Sequence, residues 1–103
     1  MQFEVFANPL ARARRAFPYV VVLQADIAAL GRERVVVFLV AAEQIGTVGG
    51  RLMPVVEVKG RKFVLLMPSM TNVAVAELRG SVGNIAAFRD QIVEALDWMF
   101  LGI

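Results

Sequence analysis

Residues 53–68 read MPVVEVKGRKFVLLMP. Two apolar stretches flank Lys59-Gly60, and a glycine at that place supplies the positive φ that a tight hairpin turn requires. The pattern predicts two antiparallel strands joined there. Upstream, QFEVF (2–6) alternates polar and apolar residues as a half-buried strand does. YVVVLQAD (19–26) and RERVVVFLV (32–40) are rich in β-branched and aromatic residues. They read as further strands, the first buried on both faces where it begins. Downstream, VAVAEL (73–78) alternates again. ANPLARARRAFP (7–18), bounded by prolines, reads as a long exposed loop, because proline removes a donor and restricts its predecessor. AAEQIGTVGG (41–50) reads as a short helical turn or a loop. About six strands therefore precede residue 80, with no helix long enough for a parallel crossover. The expected fold is a small, strongly bent antiparallel sheet, either a barrel or a sandwich.

The tail differs. Asn84 is placed to cap a helix, since its side-chain oxygen can accept a first-turn N–H. Ile85, Phe88, Ile92, Leu96 and Met99 recur at spacings of three and four, the apolar stripe of an amphipathic helix. The helix is expected over about 85–100, roughly 24 Å long, with Leu96 and Met99 buried, Phe100 on the flank and Gly102 ending it in the left-handed conformation. At about 100° per residue, Trp98 lies roughly 120° from the stripe's centre near Ile92 and Leu101 about 180° away, on the face that carries Asp90, Glu94 and Asp97.

Composition narrows the function classes. The 103 residues suit one domain, 1–103, with a single modest core. An apolar fraction of 58% is high for a lone small domain and points to a homodimer interface. A spanning helix needs roughly 20 apolar residues; the longest run, Val35 to Ala42, ends at Glu43. MQFEVF has neither the basic opening nor the apolar length of a signal peptide, so a cytoplasmic protein with no membrane association is expected. There is no Cys and no His, which removes thiolate chemistry, the commonest general base and the commonest metal ligand. The nine acids are scattered, so neither a metal nor a cofactor is indicated. Arg12, Arg14 and Arg15 crowd one stretch and Lys59, Arg61 and Lys62 another, without the interleaved aromatics that direct nucleic-acid binding uses.

The order and spacing of MQFEVF, VVLQADI, MPVVEV, MPSMTNVAV and FRDQIVEALDWMF, closed by GI, resemble the CcdB-type toxins of bacterial toxin–antitoxin modules along the whole chain. The resemblance implies a β-rich fold with a C-terminal α-helix, a small SH3-like antiparallel barrel of the CcdB/MazF-like kind, working as a homodimer. It implies no enzymatic activity and no cofactor. The toxin dimer would insert into the A subunit of DNA gyrase and trap the enzyme on cleaved DNA. A cognate antitoxin with a disordered C-terminal segment would neutralise it, and DNA would be met only through the antitoxin or gyrase. The family's gyrase contact, typically Trp-Gly-Ile, falls on Leu101, Gly102 and Ile103. Leu101 departs from it, losing contact area and an N–H donor. Trp98 stands where the family carries an aliphatic residue, and is assigned part of the lost aromatic contact. Ala74 stands where the family often has proline. Arg12, Arg14 and Arg15 are assigned to the acidic antitoxin by charge. Two alternatives stay open. One is an endoribonuclease toxin on the same fold, with Asp26, Glu57 or Glu77 as base beside an arginine. The other is a degenerate member that binds antitoxin without poisoning gyrase.

Overall fold

The computed structural model describes residues 1–29, 31–45 and 50–102. Six strands form one antiparallel sheet: β1 (Glu4–Ala7), β2 (Tyr19–Val22), β3 (Glu33–Ala41), β4 (Val55–Val58), β5 (Arg61–Ala74) and β6 (Ser81–Asn84), in the order β4-β5-β3-β2-β1-β6. The two end strands, β4 and β6, come into contact, so the sheet curls into a nearly closed barrel. A single α-helix, α1 (Arg89–Leu101), follows. This is the small barrel with a C-terminal helix that the sequence predicts. None of the helices is long and apolar enough to cross a membrane, among the described residues.

The hairpin forms as read. Val58 pairs with Arg61, and both residues between them are left-handed, Lys59 at φ 52° and Gly60 at φ 77°. That is the backbone a two-residue turn needs to match the twist of its strands. Lys59 is the strained member, because a side chain in this region costs about 1 kcal/mol.

The sixth strand is not where alternation put it. β5 runs for 14 residues and absorbs MPSMTN. VAVAEL then splits: Val73 and Ala74 finish β5, and Val75–Glu77 form a 3₁₀ turn. The sixth strand is SVGN, which pairs with β1 through Glu4↔Asn84 and Val5↔Gly83. Its sequence carries no strand pattern; pairing with β1 makes it a strand.

β5 stays so long because it is broken locally. Phe38 pairs with Leu66 but Val36 with Thr71, so four residues, Met67–Met70, face Val37 alone. Pro68 sits within this bulge, where its missing N–H leaves no ladder bond unmade. Ser69 bridges the gap: its Oγ accepts the Phe38 N–H at 3.2 Å and donates to the Leu66 carbonyl at 2.6 Å.

The sheet is apolar on both faces. Val5, Val21, Val37, Leu39, Phe63 and Leu65 belong to one cluster, with Ile92 and Ala95 of α1. Phe6, Val20, Val22, Val36, Val73 and Leu78 form a second, on the alternate positions of the same strands. Consecutive side chains of a strand point to opposite faces, so the unbroken valine runs of β2 and β3 are what two buried faces require. At the edge of the second cluster, Phe17 stacks on the half-buried Phe38 at 5.6 Å between ring centres.

The helix begins later than its periodicity suggests. Asn84 does cap, but its Oδ1 accepts the Ala86 N–H (2.7 Å) of a 3₁₀ turn, Ala86–Phe88, that precedes α1. Ile85 is buried, and its N–H donates to the Phe3 carbonyl at 2.9 Å, which holds it out of helical geometry. Only Ile92 and Ala95 of α1 are fully buried; Leu96 and Met99, expected inside, are half-buried against the barrel cluster. The predicted turn over 41–50 is a 3₁₀ turn at Ala42–Gln44, and residues 46–49 lie outside the described residues.

Candidate interaction surfaces

The end of α1 is the first surface. The helix drops its buried axis midway between Ile92 and Ala95, about 30° from Ile92 at 100° per residue. Trp98 then lies about 90° from that axis and Phe100 about 110°. The shift explains the outcome: Trp98 is half-buried, whereas Phe100, placed on the flank by the sequence, is 66% exposed. Leu101 is 68% exposed, as its position opposite the stripe predicts. The exposed apolar pair is therefore Phe100 and Leu101, and Trp98 stands at its margin. Gly102 ends the helix as expected. At φ 71° it is left-handed, and its N–H donates to the carbonyls of Asp97 and Trp98, both at 3.1 Å. Ile103 lies outside the described residues.

The arginine loop is the second surface. Asn8, the one polar residue buried completely among the described residues, clasps it. Its Nδ2 donates to the Phe17 carbonyl (2.8 Å), its Oδ1 accepts the Leu10 N–H (2.9 Å), and its own N–H donates to the Pro18 carbonyl (3.0 Å). Both ends of the loop are thus tied to one residue. Inside it, Ala11–Ala13 form a 3₁₀ turn. Arg14 is fastened as well, its Nε donating to the Asn8 carbonyl at 2.5 Å. Arg12 and Arg15 are exposed and make no ion pair among the described residues.

Sequence reasoning could not see what faces Arg14. Arg14 lines an open cleft of about 400 Å³ with Glu77 and Arg79, which lie in the segment between β5 and β6. The Ala7 N–H donates to the Gly80 carbonyl at 3.3 Å and ties together the two segments that line the cleft. Gly80 is left-handed at φ 70°, a turn that puts Arg79 beside a loop 65 residues earlier in the chain. The Nε of Arg79 donates to the Ala76 carbonyl at 3.4 Å, so both guanidinium planes are held by backbone oxygens. Of the three acids considered as a base, only Glu77 lies with arginines. Asp26 accepts the Gln2 N–H (3.1 Å) and sits 3.5 Å from the terminal ammonium. Glu57 is exposed on β4, opposite Lys62. Among the described residues no three carboxylates converge where a metal ion could sit.

Two comparisons with known proteins bear on the chain. No curated protein matches it. The family described as CcdB protein matches residues 2–102, nearly the whole length. That span takes in the barrel, the arginine loop and the helix to its glycine cap, and the chain belongs to the CcdB family of toxins from toxin–antitoxin modules.

Proposed function

We propose that this chain is the toxin of a type II toxin–antitoxin pair that binds the A subunit of DNA gyrase and holds the gyrase–DNA cleavage complex, without chemistry of its own. The observation that carries the reading is the helix end. Phe100 and Leu101 stand open to solvent just before a left-handed Gly102, in a chain of the CcdB family. Two large apolar side chains this exposed contribute little to the barrel; buried against a partner, each contributes up to roughly 1.5–3 kcal/mol. Phe100 supplies the aromatic surface that Leu101 lacks, Trp98 borders the contact, and Gly102 and Ile103 complete it. Growth arrest on induction, measured with and without residues 101–103, tests the contact. Toxicity that survives the deletion sinks it, and gyrase supercoiling and cleavage assays on purified protein identify the target.

The working unit we propose is a homodimer. Leu10, Ile27, Leu52, Phe100 and Leu101 are large apolar residues left exposed. From Leu66 onward, β5 pairs only with β3 among the described residues, which leaves its other edge open to a second copy. Sedimentation equilibrium at micromolar concentration decides between dimer and monomer.

The antitoxin is met at the arginine loop. Three guanidiniums with no acid between Ala7 and Pro18 attract an acidic, disordered segment from a distance. Association rates then fall steeply with salt, and Arg12→Ala/Arg14→Ala/Arg15→Ala flattens that dependence. One observation favours a second reading, RNA cleavage, since Glu77 shares its cleft with Arg14 and Arg79. A ribonuclease assay on the purified protein, with Glu77→Gln as control, separates it from gyrase poisoning.

A further inference from the structure

The cleft between the arginine loop and the Val75–Gly80 turn is not explained by gyrase contact or by the barrel. Its two guanidiniums come from distant parts of the chain, and both have their Nε committed to a backbone carbonyl. Neither Arg14 nor Arg79 makes an ion pair among the described residues, and neither does Glu77. Loop and cleft together hold four guanidiniums, Arg12, Arg14, Arg15 and Arg79, against the single carboxylate of Glu77. Fixing two like charges on the walls of one cleft gains nothing for folding. It prepares a site for an anion, because a pre-set guanidinium fork loses little entropy when it takes a carboxylate or phosphate in two parallel hydrogen bonds.

We infer that this cleft is an acidic-peptide subsite: Arg14 and Arg79 grip one Asp or Glu side chain of an incoming extended segment, and Glu77 accepts a backbone N–H beside it. The inference rests on the antitoxin reading above and deepens it. It adds Arg79, and it separates Arg14, which holds, from Arg12 and Arg15, which steer. Peptide is favoured over nucleic acid by the cleft's own chemistry. Its other walls, Ala7, Pro9, Ala76 and Gly80, offer no ring on which a base could stack. A fixed carboxylate repels a phosphodiester chain but suits a peptide, which carries donors as well as acids.

The test uses the full chain and a fluorescent twelve-residue Asp/Gly/Ser peptide, with its Asn counterpart as control. A twelve-nucleotide single-stranded RNA and inorganic phosphate serve as competitors. The Asp peptide binds and the Asn peptide does not. Arg14→Gln and Arg79→Gln each weaken binding by about tenfold or more, mainly through faster dissociation, as loss of a charge-assisted hydrogen bond implies. Arg12→Gln/Arg15→Gln instead slows association and flattens its salt dependence. Arg79→Lys keeps the charge but not the fork, and falls between wild type and Arg79→Gln. Melting temperatures of all variants show whether the fold is kept. An Arg79→Gln protein that melts like wild type and binds the peptide unchanged overturns the inference, as does RNA displacing the peptide more strongly than unlabelled peptide does. Cognate antitoxin in the same assay separates the two levels. Capture that ignores Arg79→Gln defeats the subsite alone; a wild-type chain that captures no antitoxin defeats the antitoxin reading and the subsite with it.

Discussion

The helix end and the arginine loop are built in opposite ways. At the helix end, apolar side chains reach solvent because the phase of α1 carries them away from its buried axis, and Phe100 and Leu101 are each about two-thirds exposed. In the loop the backbone is irregular, and one buried residue, Asn8, sets its course through three hydrogen bonds. A surface that comes from helical phase tolerates substitution without cost to the fold. A surface that comes from a clasp does not.

The clasp is where that contrast breaks first. Asn8→Ala removes both side-chain hydrogen bonds, to the Phe17 carbonyl and from the Leu10 N–H, each worth roughly 1–1.5 kcal/mol, and leaves a gap where a completely buried side chain stood. A loss of about 3 kcal/mol is expected, seen as a fall in melting temperature of roughly 12 °C or more. Peptide capture is lost with it although every arginine remains. At the helix end the expected loss is in binding alone. Leu101→Ser weakens gyrase affinity by about thirtyfold, in the range of an interface anchor near 2 kcal/mol, while the melting temperature holds. A melting temperature that falls in step with affinity would show that the helix end is part of the core after all. Leu101→Trp sharpens the same point by restoring area and an N–H donor, and is expected to raise gyrase affinity by roughly tenfold. Two smaller effects concern the scaffold. Ser69→Ala removes the bridge across the β5 bulge and costs about 1 kcal/mol in chemical denaturation. Lys59→Asn eases the left-handed turn and is expected to stabilise by about 0.5 kcal/mol.

The same contrast marks how far the sequence could be read. The hairpin at Lys59-Gly60, the doubly buried start of β2 and the Gly102 stop all follow from local chemistry, and local chemistry sufficed for them. The errors lie where a distant partner decides. SVGN becomes a strand because β1 lies beside it, and VAVAEL yields to a 3₁₀ turn although its alternation is cleaner. Ile85 is kept from the helix by the Phe3 carbonyl, 82 residues earlier in the chain. A wheel drawn on the apolar stripe misjudged the buried axis of α1 by about 30°, enough to exchange the exposures of Trp98 and Phe100. Arg12, Arg14 and Arg15 are visible as a cluster, but nothing in the chain says that Arg79 shares a cleft with one of them. That takes the turn at Gly80 and the pairing of β1 with β6.

The two-faced sheet leaves a mark on how this protein can vary. In β4 buried and less buried residues alternate, so a scan of polar replacements along Val55–Val58 would show damage at every second position. Along Val20–Val22 and Val36–Val37 no such gap exists, because each residue belongs to one cluster or the other. Drift in these segments is confined to exchanges among valine, isoleucine and residues of like shape. If the proposed contacts hold, the freedom this chain has to change its partners lies in the loop, the cleft and the last turn of the helix.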